Sequence, residues 1–378
     1  MALAVLQDAD RRDVFVRSKE KISARQFSIL AILFLIGTPI LIIPAAVTSI
    51  LKQDAWIAAL LGIAVGLLLT KLYVAVGNLH AEKSLFETLE HVLGKWLGKA
   101  VTAAIIFFCL ITASEVLFFI GNFMTTQIMR VTPIQAFNIL FAIVVVIGIR
   151  KGIEPLARSA ELLFPVFVLL FIVLVVFVSP QIHMERIQPV LESDLKSMVW
   201  ATMYFASVFT FTPFLLLTVF PSEIDRPKEA SKGFYRGTII AGIVLVLIIA
   251  LCITVLGTDM TARQTYPSYA LAKKINVGHF LQRIEIVMAI MWFITIFFRI
   301  CVYFYAAVLG MKQLFNLKDY RSLALPMGML MVVLSLIVHP NVMHSEEYNR
   351  SEWLPFVATY GFLLPLLLLI VHAIRRKQ

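Results

Sequence analysis

Long apolar blocks separated by short polar segments fill this chain from residue 26 to residue 374. Ten blocks can be marked, at roughly 26 to 49, 55 to 77, 99 to 129, 133 to 149, 152 to 178, 198 to 220, 235 to 256, 283 to 311, 322 to 340 and 353 to 374. A helix needs about 20 apolar residues to cross the hydrocarbon core of a bilayer, so each block predicts a membrane span. Ten spans divide into five plus five, and an odd number per half brings the second half in from the opposite side, as in an inverted repeat. The expected architecture is an all-α integral membrane protein with a tail at 1–25, a permease-like domain at 26–378, and repeats at about 26–178 and 198–374.

Two of the blocks carry an internal break. Gly37-Thr38-Pro39-Ile40-Leu41 lies in the first, and Phe211-Thr212-Pro213-Phe214-Leu215 repeats it in degraded form in the sixth. Proline lacks the N–H of an internal helical bond and clashes with the carbonyl four residues earlier. Many prolines merely bend a membrane helix, but paired interruptions in corresponding halves point to a transporter-type binding site. Backbone groups freed at that depth must be buried in protein or line a wet cavity. The candidate ligand-binding residues are Gly37, Thr38, Pro39 and Ile40 at the first break, with Tyr204, Ser207, Thr210 and Thr212 around the second. A half-helix N-terminus suits a carboxylate and a broken C-terminal end suits an ammonium, so the two breaks together would hold a zwitterionic amino acid. The competing reading is that Ser and Thr hydroxyls here bond back to their own helix carbonyls.

Two polar segments have patterns of their own. From Glu82 to Leu97, Leu85, Phe86, Leu89, Val92, Leu93 and Trp96 recur at helical spacing opposite Glu87, Glu90 and Lys95, which predicts an amphipathic helix lying along the membrane. The outer segment from Gly257 to Phe280, which holds Tyr266-Pro267-Ser268-Tyr269, Leu271 and Lys273-Lys274, is long enough for a short helix over the outer mouth, either a plain surface helix or a lid.

Composition agrees with the pattern. The chain has 378 residues, 60% hydrophobic and 15% charged, with mean hydropathy +0.89, against roughly 25% charged residues in soluble domains. The net charge of +10 follows topology: 22 Lys and Arg lie in the segments on the N-terminal side and nine in those on the other. That bias predicts both termini in the cytoplasm, with the basic surface facing anionic lipid and not nucleic acid. The first 25 residues lack a short apolar stretch with a cleavage site and are read as a retained cytoplasmic tail. Cys109, Cys252 and Cys301 all fall in apolar blocks, which implies no disulfide framework and no thiolate metal site.

Charges inside spans are costly and mark pairing, water or function. Glu115 in the third span and Arg299 in the eighth are each the other's best candidate partner, as a buried ion pair or as a proton or carboxylate relay. Glu154, Arg158 and Glu161 share one face of the fifth span, where they could form a salt-bridge ladder or an inner gate or ion-coupling site. Arg158 could also stand in for a bound cation beneath the first break. No nucleophile elbow, zinc-protease helix or phosphate-binding glycine loop is present, so neither an enzyme nor a cofactor or metal is expected. His91, His183, His279, His339, His344 and His372 read as interfacial histidines.

The chain resembles the AB-type spore-germination permeases, the B subunits of spore nutrient-germinant receptors, within the amino acid/polyamine/organocation transporter superfamily. The resemblance runs from Ile22-Ser23-Ala24-Arg25-Gln26-Phe27 through Gly37-Thr38-Pro39-Ile40-Leu41-Ile42-Ile43-Pro44 to Pro221-Ser222-Glu223-Ile224 and the basic segment after it. It implies a LeuT-like fold with spans one and six unwound, residence in the spore inner membrane, and an A-type membrane subunit and a C-type lipoprotein as partners. It also implies recognition of a small germinant, often an amino acid. The sixth span departs from the family, with Thr212-Pro213 where members often have a glycine and an acidic residue. A proton-coupled amino acid transporter and a structural membrane subunit are the alternative expectations.

Overall fold

A computed structural model describes residues 21–274 and 285–375. Most of the expected tail, the end of the 257–280 segment with His279, and the last three residues lie outside them. Among the described residues the fold is helical, with a single isolated β-bridge between Ile22 and Ile224.

The first span is two half-helices, α1 (Ala24–Ile36) and α2 (Pro39–Leu51), of 13 residues each. At about 1.5 Å per residue each is about 20 Å long, short of a hydrocarbon core of about 30 Å. The break falls at Gly37-Thr38 because Pro39 has no N–H to offer the preceding turn. Ser23 starts α1 with a capping box: its Oγ accepts from Gln26 N at 3.1 Å, and Gln26 Oε1 accepts from Ser23 N at 3.0 Å. Beneath it, Ile22 N donates to the Glu223 carbonyl at 2.9 Å and Asp225 N donates to the Ile22 carbonyl at 3.1 Å. The two distant segments Ile22–Phe27 and Pro221–Ile224 are thus neighbours.

Next come α3 (Ala55–Gly77), the short α4 (Leu85–Leu93), α5 (Lys95–Phe123), α6 (Ile134–Lys151) and α7 (Ile153–Val178). The expected amphipathic helix is α4, with Leu85, Phe86, Leu89, Val92 and Leu93 buried. It stops at Gly94, whose φ of +90° no L side chain adopts easily, so Trp96 belongs to α5 and is 89% exposed, not on the buried face. The sixth span is α8 (Leu195–Phe209) followed, past Thr210 and Phe211, by 3-10 helix over Thr212–Thr218. Here Pro213 denies a donor to the Phe209 carbonyl.

The remaining helices are α9 (Pro227–Leu256), the short α10 (Thr258–Arg263) and α11 (Pro267–Lys273), α12 (Glu285–Leu314), α13 (Arg321–Ile337), α14 (Val342–Ser351), α15 (Trp353–Ala358) and α16 (Leu364–Arg375). A π-helical turn at Thr359–Leu363 joins α15 to α16. Between α13 and α14 the axis bends by 97°, so residues expected to form a loop before the last span are helical.

Eight described helices are long and apolar enough to cross a membrane, or nine when the bent α13–α14 pair counts as one span. The expected ten exceed this because the first break leaves α1 short and α2 runs on into α3 as one 42-residue stretch, Pro39–His80. A continuous helix of that length would be about 63 Å, twice the core thickness, and the chain instead turns at Lys52, where φ is +52°.

Helices α1, α8 and α12 form the centre and are buried along most of their length. On α7, by contrast, Leu162, Val166, Leu169, Ile172 and Val176 point outward at helical spacing, as lipid-facing residues do. Span one packs on α9 where Gly233 faces Ser28; a Cβ at Gly233 would lie 1.8 Å from the Ser28 hydroxyl.

Candidate functional site

The two breaks meet at Arg299. This side chain comes from the middle of α12, is only 2% exposed, and lies across the broken ends of both spans. Its Nη1 donates to the Phe34 carbonyl at 3.0 Å, in the last turn of α1. Its Nη2 donates to the Val208 carbonyl at 2.7 Å, in the last turn of α8, and lies 3.4 Å from Thr212 Oγ1. The last carbonyls of a helix lack intrahelical donors and carry the negative end of its dipole, so they suit a cation. The rings of Phe34 and Tyr303 add their faces, 5.2 and 5.6 Å from the guanidinium carbon. The expected partnership with Glu115 is therefore corrected: Arg299 is held by backbone carbonyls, and no described carboxylate pairs with it.

Glu115 has a different neighbour. Its Oε1 stands 3.9 Å from His339 Nε2, with both side chains almost fully buried. His339 is a core residue and not an interfacial one, packed by Phe118 and Tyr348. It arrives there because the chain bends sharply between α13 and α14.

The fifth-span charges do not form one ladder. Arg158 pairs with Glu154, while Glu161 accepts from Arg25 at 3.2 Å and from Gln26 Nε2 at 3.2 Å, clamping the start of α1. Arg158 is 69% exposed, and the buried cation at the first break is Arg299.

Around the second break the hydroxyls divide. Ser207 Oγ donates to the Tyr204 carbonyl at 2.6 Å and Thr210 Oγ1 to the Ala206 carbonyl at 3.1 Å, the back-bonding alternative. Thr38 Oγ1 at the first break is buried with no hydrogen-bond partner. Gly37 lies against the aliphatic part of Arg299. The Ile40 carbonyl would normally accept from residue 44, but that residue is Pro44, and Ser268 Oγ of α11 donates to it at 2.5 Å.

Tyr73 is a residue that the sequence did not single out. Its buried hydroxyl stands 3.0, 3.1 and 2.8 Å from the carbonyls of Thr210, Phe211 and Gly361, and can donate to one of them. Gly361 is needed there, since a Cβ would lie 2.0 Å from the Phe211 oxygen.

A cavity of about 410 Å³ opens about one helical turn beyond the first break. Its wall includes Ile42 and Ala46 of α2, Phe118 of α5, Tyr204 of α8, and Glu346 and Arg350 of α14. Of the eight candidate ligand-binding residues, Tyr204 lines this space. The segment considered as a lid contributes Gln264 and Tyr266, and Tyr266 accepts a hydrogen bond from Asn122 at 2.7 Å.

Comparison with known proteins places this architecture. The family described as spore germination protein matches residues 21–343. Spore germination protein KB of Bacillus subtilis (strain 168) is 33% identical over 374 residues, covering 95% of this chain and 96% of its own. Spore germination protein YndE of the same organism is 23% identical, covering 94% and 98% of the two chains. Spore germination protein GerLB of Bacillus cereus is also 23% identical, covering 96% and 97%. Among solved structures, the nucleobase-cation-symport-1 family transporter Mhp1, in a closed conformation with bromovinylhydantoin bound, aligns with a TM-score of 0.65. It covers 92% of this chain and 79% of its own at 11% identity, a likeness of fold alone. The fold is LeuT-like, with spans one and six unwound, and the chain belongs to the spore-germination permease family.

Proposed function

We propose that this permease-like germination protein is the B-type membrane subunit of a germinant receptor, and that it recognises a small germinant, an amino acid or similar zwitterion, in the cavity beside the two breaks. The cavity carries the reading: about 410 Å³ is room for a small solute, and its wall brings an acidic and a basic residue, Glu346 and Arg350, beside the apolar face of Ile42, Ala46 and Phe118. Tyr204 lines the cavity, and the unpartnered Thr38 hydroxyl lies at the first break. Gly37, Pro39, Ile40, Ser207, Thr210 and Thr212 lie at or next to the two breaks, whose rearrangement on binding would carry the response. Binding would favour one of two arrangements of the broken spans, and that difference in affinity is the signal.

The subunit acts in the spore inner membrane with an A-type membrane subunit and a C-type lipoprotein, both termini in the cytoplasm and the cavity facing outward. Its repeats run from about 26 to 178 and from about 198 to 374. The test is germination of spores carrying Ala46→Trp, which fills the cavity, over a panel of amino acids. A loss of response at normal protein level is expected, and an unchanged dose curve would sink the assignment.

A further inference from the structure

We propose that the Arg299 guanidinium is a resident cation, held where a coupling sodium ion would otherwise sit, so that the broken spans need no dissolved ion to stay assembled. This goes beyond the germinant reading and does not depend on it.

Broken-helix transporters bind their coupling ions with unwound carbonyls and the C-terminal ends of half-helices. Such an end is present twice here, at α1 and at α8, and one side chain takes both. The Phe34 carbonyl receives Nη1 at 3.0 Å, the Val208 carbonyl receives Nη2 at 2.7 Å, and the Thr212 hydroxyl stands 3.4 Å away. Two carbonyls and a hydroxyl from two unwound segments are an oxygen donor set for a hard cation, and a sodium ion would compete for the same lone pairs.

The space is also built around arginine. Gly37 has no side chain, and a Cβ there would lie 2.6 Å from Arg299 Cδ and 2.9 Å from its Cβ. Two aromatic faces flank the guanidinium, and Glu115, the partner expected from the sequence, stands beside His339 instead. A buried charge without a carboxylate is retained only where other groups stabilise it. Here the helix ends and ring faces do so, as they would for a bound ion. A tethered cation differs from a dissolved one in that it cannot leave, so it fixes occupancy at one whatever the ionic composition of the medium.

Thermal unfolding of the full chain in detergent micelles, in sodium chloride or in choline chloride at equal ionic strength, tests this. The wild type is expected to melt at the same temperature in both salts. Arg299→Ala and Arg299→Met are expected to melt lower, and to regain part of the loss as sodium, or guanidinium far below denaturing concentration, is raised, as a ligand of the folded state must cause. Arg299→Lys keeps the charge and should stay indifferent to sodium. A sodium-dependent rise in the wild type overturns the proposal, as do neutral variants that ignore both ions. If the neutral variants do not accumulate, Arg299→Lys decides. A folded, sodium-indifferent protein supports a requirement for charge, and its loss alongside them overturns it, because the site would then require the shape of arginine and not its cation.

Discussion

Gly37 and Arg299 are fitted to each other: the aliphatic part of the arginine lies where any side chain at 37 would have to go, and a Cβ added to Gly37 would come within 2.6 Å of Arg299 Cδ. Gly37→Ala must therefore push the guanidinium off the Phe34 or the Val208 carbonyl. Overpacking of this kind costs about 1–3 kcal/mol, and the melting temperature in micelles should fall accordingly. In an Arg299→Ala background the same substitution should cost much less, and equal costs in the two backgrounds would refute the coupling.

Ser268 and Pro44 form a second coupled pair through the Ile40 carbonyl. Ser268→Ala leaves that buried acceptor without a donor, a loss of about 1–3 kcal/mol. Pro44→Ala supplies an N–H from within α2, so it should make Ser268 dispensable. Melting temperatures of the two single variants and the double variant measure this.

Asp54, fully buried at the turn between α2 and α3, accepts from three successive backbone N–H groups, of Leu191, Glu192 and Ser193, at 2.8, 2.9 and 3.0 Å. A carboxylate in that nest ties the connection after α7 to the first span. Asp54→Ala should cost about 3 kcal/mol, since hydrogen bonds to a charged group are lost together. It should also make residues 188–193 the first site of limited proteolysis.

Glu115→Gln touches none of the contacts of Arg299. The variant is expected to keep the germination response and the sodium indifference of the wild type. A response lost together with a gain of sodium dependence would show that the two charges act as a pair.

Much of this architecture is legible in the residues alone. A proline removes a known donor at a known place, so the breaks after Gly37 and before Pro213 can be read directly, as can the amphipathic face of α4. Glu115 and Arg299 stand out because a charge in an apolar block has few reasons to be there. Their partners cannot be read in the same way. The acceptors of Arg299 are backbone carbonyls, which every residue possesses, and only the spatial meeting of two helix ends makes those of Phe34 and Val208 special. His339 reaches Glu115 through a 97° bend that no residue pattern announces. The hydroxyls of Ser207 and Thr210 bond back to carbonyls of the preceding turn, which residue type alone does not distinguish from facing a ligand. Tyr73 looks like any tyrosine in an apolar stretch until three carbonyls are found around its hydroxyl.

The bridge between Ile22 and Ile224 has a mechanical consequence. Spans one and six are joined once at mid-depth, through Arg299, and again at the tail end, through the backbone of Ile22. Two attachment points remove independent sliding and leave the lower halves of the two spans a shared swing, like two bars pinned to a common hinge. A label on either half would report the movement of both.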